Sequence, residues 1–196
     1  MRLASPHHRA MAARAAQRAP LRIHIGCGSI RFEGWVNVDL GPPADLLLDL
    51  RRGLPFPDSS AEAIYNEHFI EHMDYADGAR LLAEAHRVLK PGGVVRLATP
   101  DLDHLVGRYA GPAWRDQEWL RRPEYAFIAT RATMLNVAMR WWGHRHLYNE
   151  EELRRQLAAV GFQAIRRCPW GKSAAPALRG RETRDDSKLI LEATKG

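Results

Sequence analysis

The sequence predicts an α/β fold in which a mostly parallel sheet of about seven strands is covered on both faces. Three observations carry that expectation. Short apolar runs alternate with helical patterns; the first run ends in a Gly26-Cys27-Gly28 turn; and the longest helical pattern stops at Pro91-Gly92-Gly93 before another apolar run. Strands and helices in this rhythm call for crossover connections between parallel neighbours.

The elements follow in order. "LRIHI" (21–25), "WVNVDL" (35–40), "DLLLDL" (45–50) and "EAIYN" (62–66) are short apolar strands closed by polar residues or glycine. "YADGARLLAEAHRVLKPGG" places Leu81, Leu82, Ala85, Val88 and Leu89 at helical spacing, so they are expected to face the core. "VVRLAT" (94–99) is the next strand, closed by Pro100. Residues 101 to about 148 break the rhythm: they hold four of the six tryptophans and many arginines, with a helical stretch expected from Tyr125 to Trp142. Asn149 then caps a helix with acids in its first turn, ending at Gly161. "FQAIRRC" and "SKLILEAT" are the last strands, joined by a polar loop bearing proline and glycine.

Composition narrows the function classes. The 196 residues are about one domain's worth, and 45% hydrophobic with 27% charged residues is the balance of a globular protein. No apolar run approaches the roughly 18–20 residues of a membrane span. "MRLASPHHRAMAARAAQRAP" is rich in Ala and Arg and superficially resembles a transit peptide, but it lacks an apolar signal core. Residues 1–20 are therefore expected to be a helical extension ahead of one domain over 21–196, in a cytoplasmic protein. Cys27 and Cys168 are too few for a disulfide framework. The net charge of +6 is spread along the chain and favours anionic partners in general, with nucleic-acid binding as an alternative function.

On such a sheet, ligands bind beyond the carboxyl ends of the strands, so chemistry is sought at the strand tips. In "HIGCGSIRFEGWVNVDL" two glycines follow a strand, where the chain must turn tightly and leave room for a ligand. Asp39, ending the next strand, is placed to accept hydrogen bonds from ribose hydroxyls. A third glycine and a helix facing a pyrophosphate are missing, so a nucleoside without phosphate suits the site better than a dinucleotide. Asp49 and Leu50 end the third strand and can meet an adenine edge by side chain and backbone.

With "LPFPDSSAEAIYNEHFIEHM", "LLAEAHRVLKPGGVVRLATPDLDHLV" and "YNEEELRRQLAAVGF", these motifs resemble the class I S-adenosylmethionine-dependent methyltransferases. The likeness is greatest to the small bacterial, type 11-like branch with GCG…GWxNxD and EHxxEH. It runs from about residue 21 to the C-terminus. It implies a Rossmann-like doubly wound sheet with an antiparallel last strand, and methyl transfer from S-adenosylmethionine to an O, N or S acceptor, a small molecule or a sugar or lipid precursor. It also implies that Gly26, Cys27 and Gly28 pass beneath the methionine part, that Asp39 holds the ribose and Leu40 packs on the adenine. Asp49 and Leu50 meet the adenine edge, and Glu67 and His68 lie beside the methionine amine and the methyl donor.

Two features depart from that pattern. His24 stands where an acid is common, and the first crossover leaves scarcely room for a helix. His68 is the candidate catalytic base, because imidazole titrates near neutral pH, with Asp101 as the lesser candidate. His68, Glu71 and His72 also spell H-x-x-E-H, the zinc peptidase pattern. That pattern needs one continuous helix. Here it follows a strand directly, which splits His68 from His72, so a zinc hydrolase is the lesser alternative and no metal is assigned. A non-catalytic S-adenosylmethionine-binding protein is the other alternative. His144 and His146 lead into the helix capped by Asn149 and are candidates to reach the acceptor. The Trp/Arg-rich insertion is expected to serve as a lid or, through residues 111–146, as a homodimer surface.

Overall fold

The computed structural model describes residues 20–196; the Ala/Arg-rich segment before them lies outside the described residues. Seven strands form one sheet: β1 (Leu21–Ile25), β2 (Val36–Asp39), β3 (Leu46–Leu47), β4 (Ala61–Glu67), β5 (Leu89–Thr99), β6 (Phe162–Arg167) and β7 (Leu189–Lys195). Their spatial order is β3-β2-β1-β4-β5-β7-β6. β1 to β5 run parallel to one another, and β7 runs antiparallel to both β5 and β6. Strand order reverses between β1 and β4, which makes their carboxyl ends the place for a ligand.

Among the described residues four α-helices accompany the sheet: α1 (Tyr75–Val88), α2 (Leu102–Ala110), α3 (Arg131–Arg140) and α4 (Glu150–Ala159). Asp74, Asp101, Thr130 and Asn149 cap them, each side chain accepting a hydrogen bond from a first-turn N–H. The core-facing residues expected on α1 are buried, and with Leu153 and Leu157 of α4 they cover Ile23, Ile25 and Ile64. His86, on the same helix, sets its ring edge-on against Phe162.

Three elements are shorter than their sequence patterns. Only Leu46–Leu47 of "DLLLDL" joins the sheet, because Asp49 turns to cap a 3-10 turn over Leu50–Arg52. α1 ends at Val88, and residues 90–93 form a bulge between the pairings Ala61↔Leu89 and Ala63↔Val94, with Gly92 at φ 78°. The helix expected over 125–142 begins only at Arg131, because Thr130 supplies the cap.

The other face of the sheet is covered without a crossover helix. Residues 26–35 run as turns, and Phe32 and Trp35 pack with Ala63, Tyr65 and Leu178. Leu178 belongs to the loop between β6 and β7, so a late segment fills the space left by the missing helix. Buried Arg96 of β5 anchors that loop: it donates to Glu192 at 2.7 Å and to the Lys172 carbonyl at 2.9 Å, and it pairs with Glu182. Glu182 in turn accepts the Gly171 N–H at 2.9 Å. A buried guanidinium is tolerated only when its charge and its N–H groups are answered in this way.

Candidate functional site

The tips of β1 and β2 form one unit. Gly26 (φ 68°) and Gly28 (φ 53°) take the left-handed backbone open to glycine, and the N–H groups of Gly26 and Cys27 both donate to the Val38 carbonyl. Asp39 holds the turn from the other side, accepting from Gly28 N at 2.7 Å and Leu40 N at 2.6 Å. His24 lies buried beneath, stacked on Phe32 at 4.1 Å and facing Asn37 Oδ1 at 3.2 Å, and burial pushes its pKa down to about 4. Burial likewise pushes the Cys27 thiol up to about 11, so it stays protonated and is no nucleophile at neutral pH.

Next to this unit is a cleft of about 210 Å³ whose walls include Leu40, Leu48, Asp49, Leu50, Phe69 and Met73. Leu40 is 68% exposed at its mouth. Asp49 is held below the usual carboxylate range by its hydrogen bond from the Arg51 side chain.

At the tip of β4, Glu67 is buried and fully engaged. Its two oxygens accept from Thr183 N and Oγ1, Arg184 N and Ser187 Oγ. The 183–187 segment thereby closes over Gly26 and Cys27, leaving only about 10 Å³ between them. His68 sits at φ 49°, a backbone conformation costly for any side chain, held by its N–H donating to the Ala98 carbonyl. Its Nδ1 lies 3.3 Å from Glu71 Oε1 and its Nε2 3.4 Å from Asp186 Oδ1. Burial opposes a charge on this ring, but Glu71 outweighs that and sets His68 above its ordinary value. H-x-x-E-H is split, but not onto the following helix: His68 precedes a 3-10 turn that holds Glu71 and His72, and α1 starts only at Tyr75.

Asp186 also lines a second cleft, of about 230 Å³, together with Asp101, His104, Trp119, Trp142 and Lys188. The insertion builds this wall by packing inward: Trp119, Tyr125 and Trp142 meet edge to face, and Trp142 Nε1 donates to Tyr125 Oη at 3.0 Å. Phe127 and Trp141 remain exposed. Asp101 is held by Arg167 at 2.9 Å as well as capping α2.

The profile of the methyltransferase domain family matches residues 10–166. The chain belongs to that family. Its fold is the class I S-adenosylmethionine-dependent methyltransferase fold, which solved methyltransferase structures share. A methyltransferase from Archaeoglobus fulgidus superposes with a TM-score of 0.52 at 14% identity, covering 95% of this chain and 92% of that one. One from Thermotoga maritima gives 0.53 at 16% identity, over 96% and 89%. An N1-methyltransferase from Burkholderia thailandensis, solved with 1,6-didemethyltoxoflavin and S-adenosylhomocysteine, gives 0.52 at 14% identity, over 97% and 77%.

Among curated proteins, a Mycobacterium tuberculosis protein named a probable S-adenosylmethionine-dependent methyltransferase is 27% identical over 137 residues, 70% of this chain and 39% of its own. A like-named Mycolicibacterium smegmatis protein is 41% identical over 58 residues, 28% of this chain and 22% of its own. The chain therefore matches less than half the length of these relatives.

In this methyltransferase-family chain the fold gathers the sequence-predicted residues into two neighbouring groups. Gly26, Cys27, Gly28 and Asp39 form the turn, and Leu40, Asp49 and Leu50 share the first cleft. Glu67 lies against that turn, and His68 meets Asp186 of the second cleft. Sequence reasoning missed Phe69 and Met73, whose only signal was their place just after β4, and the 183–187 segment, whose signal was the charge-dense "RETRDDSK".

Proposed function

We propose that this chain transfers the methyl group of S-adenosylmethionine to an O, N or S atom of a small-molecule acceptor. One observation carries the reading: Leu40, Asp49 and Leu50, which the resemblance assigns to adenine, wall a single cleft beside the β1/β4 switch point. Asp39 lies next to it on β2 and would take the ribose hydroxyls, with Phe69 and Leu40 offering apolar contact to the base.

The adenosine end fits the chain's residues as they stand. The methionine end is closed by Thr183 and Arg184, so seating an amino-acid tail over Gly26 and Cys27 requires that segment to leave Glu67. The carboxylate so released would be the anion for the tail's ammonium, in place of the acid that His24 replaces. Bound S-adenosylmethionine supplies a methyl carried on a sulfonium, and the protein's share is positioning and exclusion of water. The second cleft, with Trp119 and Trp142 in its wall, suits the acceptor. His68 reaches its edge through Asp186 and is the candidate to receive the acceptor's proton, because Glu71 behind it favours the imidazolium that results.

Calorimetric titration with S-adenosylmethionine, for the wild type and Asp39→Ala, tests the reading. One-site binding weakened about tenfold or more in the variant is expected, the scale of a lost charged hydrogen bond. Absence of binding to the folded wild type refutes it.

A further inference from the structure

We propose that Glu71, His72 and His144 form a site for one divalent transition-metal cation, between the two clefts. One donor atom from each lies within 4.8 Å of the others. Bound tetrahedrally by N and O ligands at about 2.1 Å, such donors stand about 3.4 Å apart, so each needs to move by only about 1 Å.

The surroundings are those of a built site. Glu71 is fully buried, and among the described residues its Oε1 accepts no well-formed hydrogen bond, with His68 Nδ1 beside it at 3.3 Å. That atom lies 4.0 Å from His144 Nε2. Its other oxygen is fixed by Thr99 Oγ1, which donates at 3.0 Å. A buried carboxylate oxygen with only one imidazole beside it is costly, and a cation removes that cost. His144 Nδ1 faces the Ala138 carbonyl at 2.8 Å, a partner that can only accept. The ring proton therefore sits on Nδ1, and Nε2 keeps its lone pair toward Glu71, the orienting arrangement that metal-binding histidines use.

The backbone holds the two halves together. Arg145 N and His146 N donate to the Glu71 carbonyl at 2.7 and 3.1 Å, docking the 143–146 segment on the 3-10 turn that carries Glu71 and His72. The His72 and His144 rings meet at 5.0 Å, edge to face. His72 also borders the first cleft, and Trp142, beside His144, borders the second.

Two imidazoles and one carboxylate are a donor set for zinc, cobalt or manganese rather than magnesium or calcium, which prefer oxygen. Three protein donors leave a coordination position for water or for an oxygen of a bound molecule. The H-x-x-E-H pattern thus contributes two ligands from a turn, and His144 joins them from 72 positions further along the chain.

The test uses the chelator-treated 196-residue chain, titrated by calorimetry with zinc, manganese and magnesium separately, and with cobalt followed by visible absorption. One equivalent of zinc or cobalt is expected, with the cobalt spectrum of nitrogen and oxygen ligands and with magnesium far weaker. His72→Asn and His144→Asn should each weaken binding at least tenfold while keeping the wild-type circular dichroism, and His86→Gln should leave binding unchanged. No stoichiometric binding by the wild type overturns the proposal. So does wild-type affinity in both variants, which means adventitious binding at other histidines, and so does magnesium binding as tight as zinc. S-adenosylmethionine is titrated separately, so failure of the cofactor reading and of the metal site are told apart.

Discussion

The ring of Phe69 fills the space beside Gly26: a Cβ at that glycine would stand 2.4 Å from the ring carbons. The first motif of the chain and the residue after the EH of β4 thus close on each other at the switch point. This contact explains why position 26 needs glycine twice over, once for its φ of 68° and once for the ring.

Gly26→Ala should therefore cost about 2–4 kcal/mol in urea denaturation, combining strain with overpacking. Phe69→Ala alone removes packing, but in the double variant it should relieve the steric part. A non-additive coupling of about 1 kcal/mol or more is expected from the cycle. Simple additivity would mean that the ring is not what excludes the Cβ.

Leu40 separates binding from stability. It is 68% exposed, so Leu40→Ser should change stability by less than about 0.5 kcal/mol. If adenine packs on it, S-adenosylmethionine affinity should fall about threefold to tenfold, the scale of a half-buried leucine contact. Unchanged affinity in calorimetry would move the adenine elsewhere in the cleft.

His24 makes stability depend on pH. Burial lowers its folded pKa from 6.5 to about 4, so the stability of keeping it neutral is complete above pH 6.5 and is lost as pH falls toward 4. Between those limits the unfolded chain binds the proton and the folded chain does not, a difference of about 3 kcal/mol in total. Denaturation midpoints of wild type and His24→Gln, compared at pH 7.5 and 4.5, should show the larger drop in the wild type. Parallel drops would assign the acid sensitivity to other groups.

Arg96 holds the loop that replaces the first crossover helix. Arg96→Met leaves Glu182 and Glu192 buried without their shared guanidinium, and about 3–5 kcal/mol of destabilisation is expected. Hydrogen exchange should rise first across residues 171–184, where Glu182 and the Lys172 carbonyl lose the Arg96 guanidinium. A uniform rise over the sheet would show that the loop has no separate anchor.

Much of the fold was legible in the chain itself. The strand runs, the Leu81 to Val88 stripe, the glycine turn and Asp39 are local patterns, because pleat and helix periods repeat within a few residues and a turn needs its glycine on the spot. Those same patterns carried the likeness to class I S-adenosylmethionine-dependent methyltransferases, which the family match and the solved folds bear out. What the tertiary structure alone decided are pairings across long separations: Glu67 with Thr183, Arg96 with Glu182, and His144 with Glu71 and His72. No local period encodes them. Each depends on where a loop arrives after the sheet has closed, and on buried charges that must find a partner once water is gone.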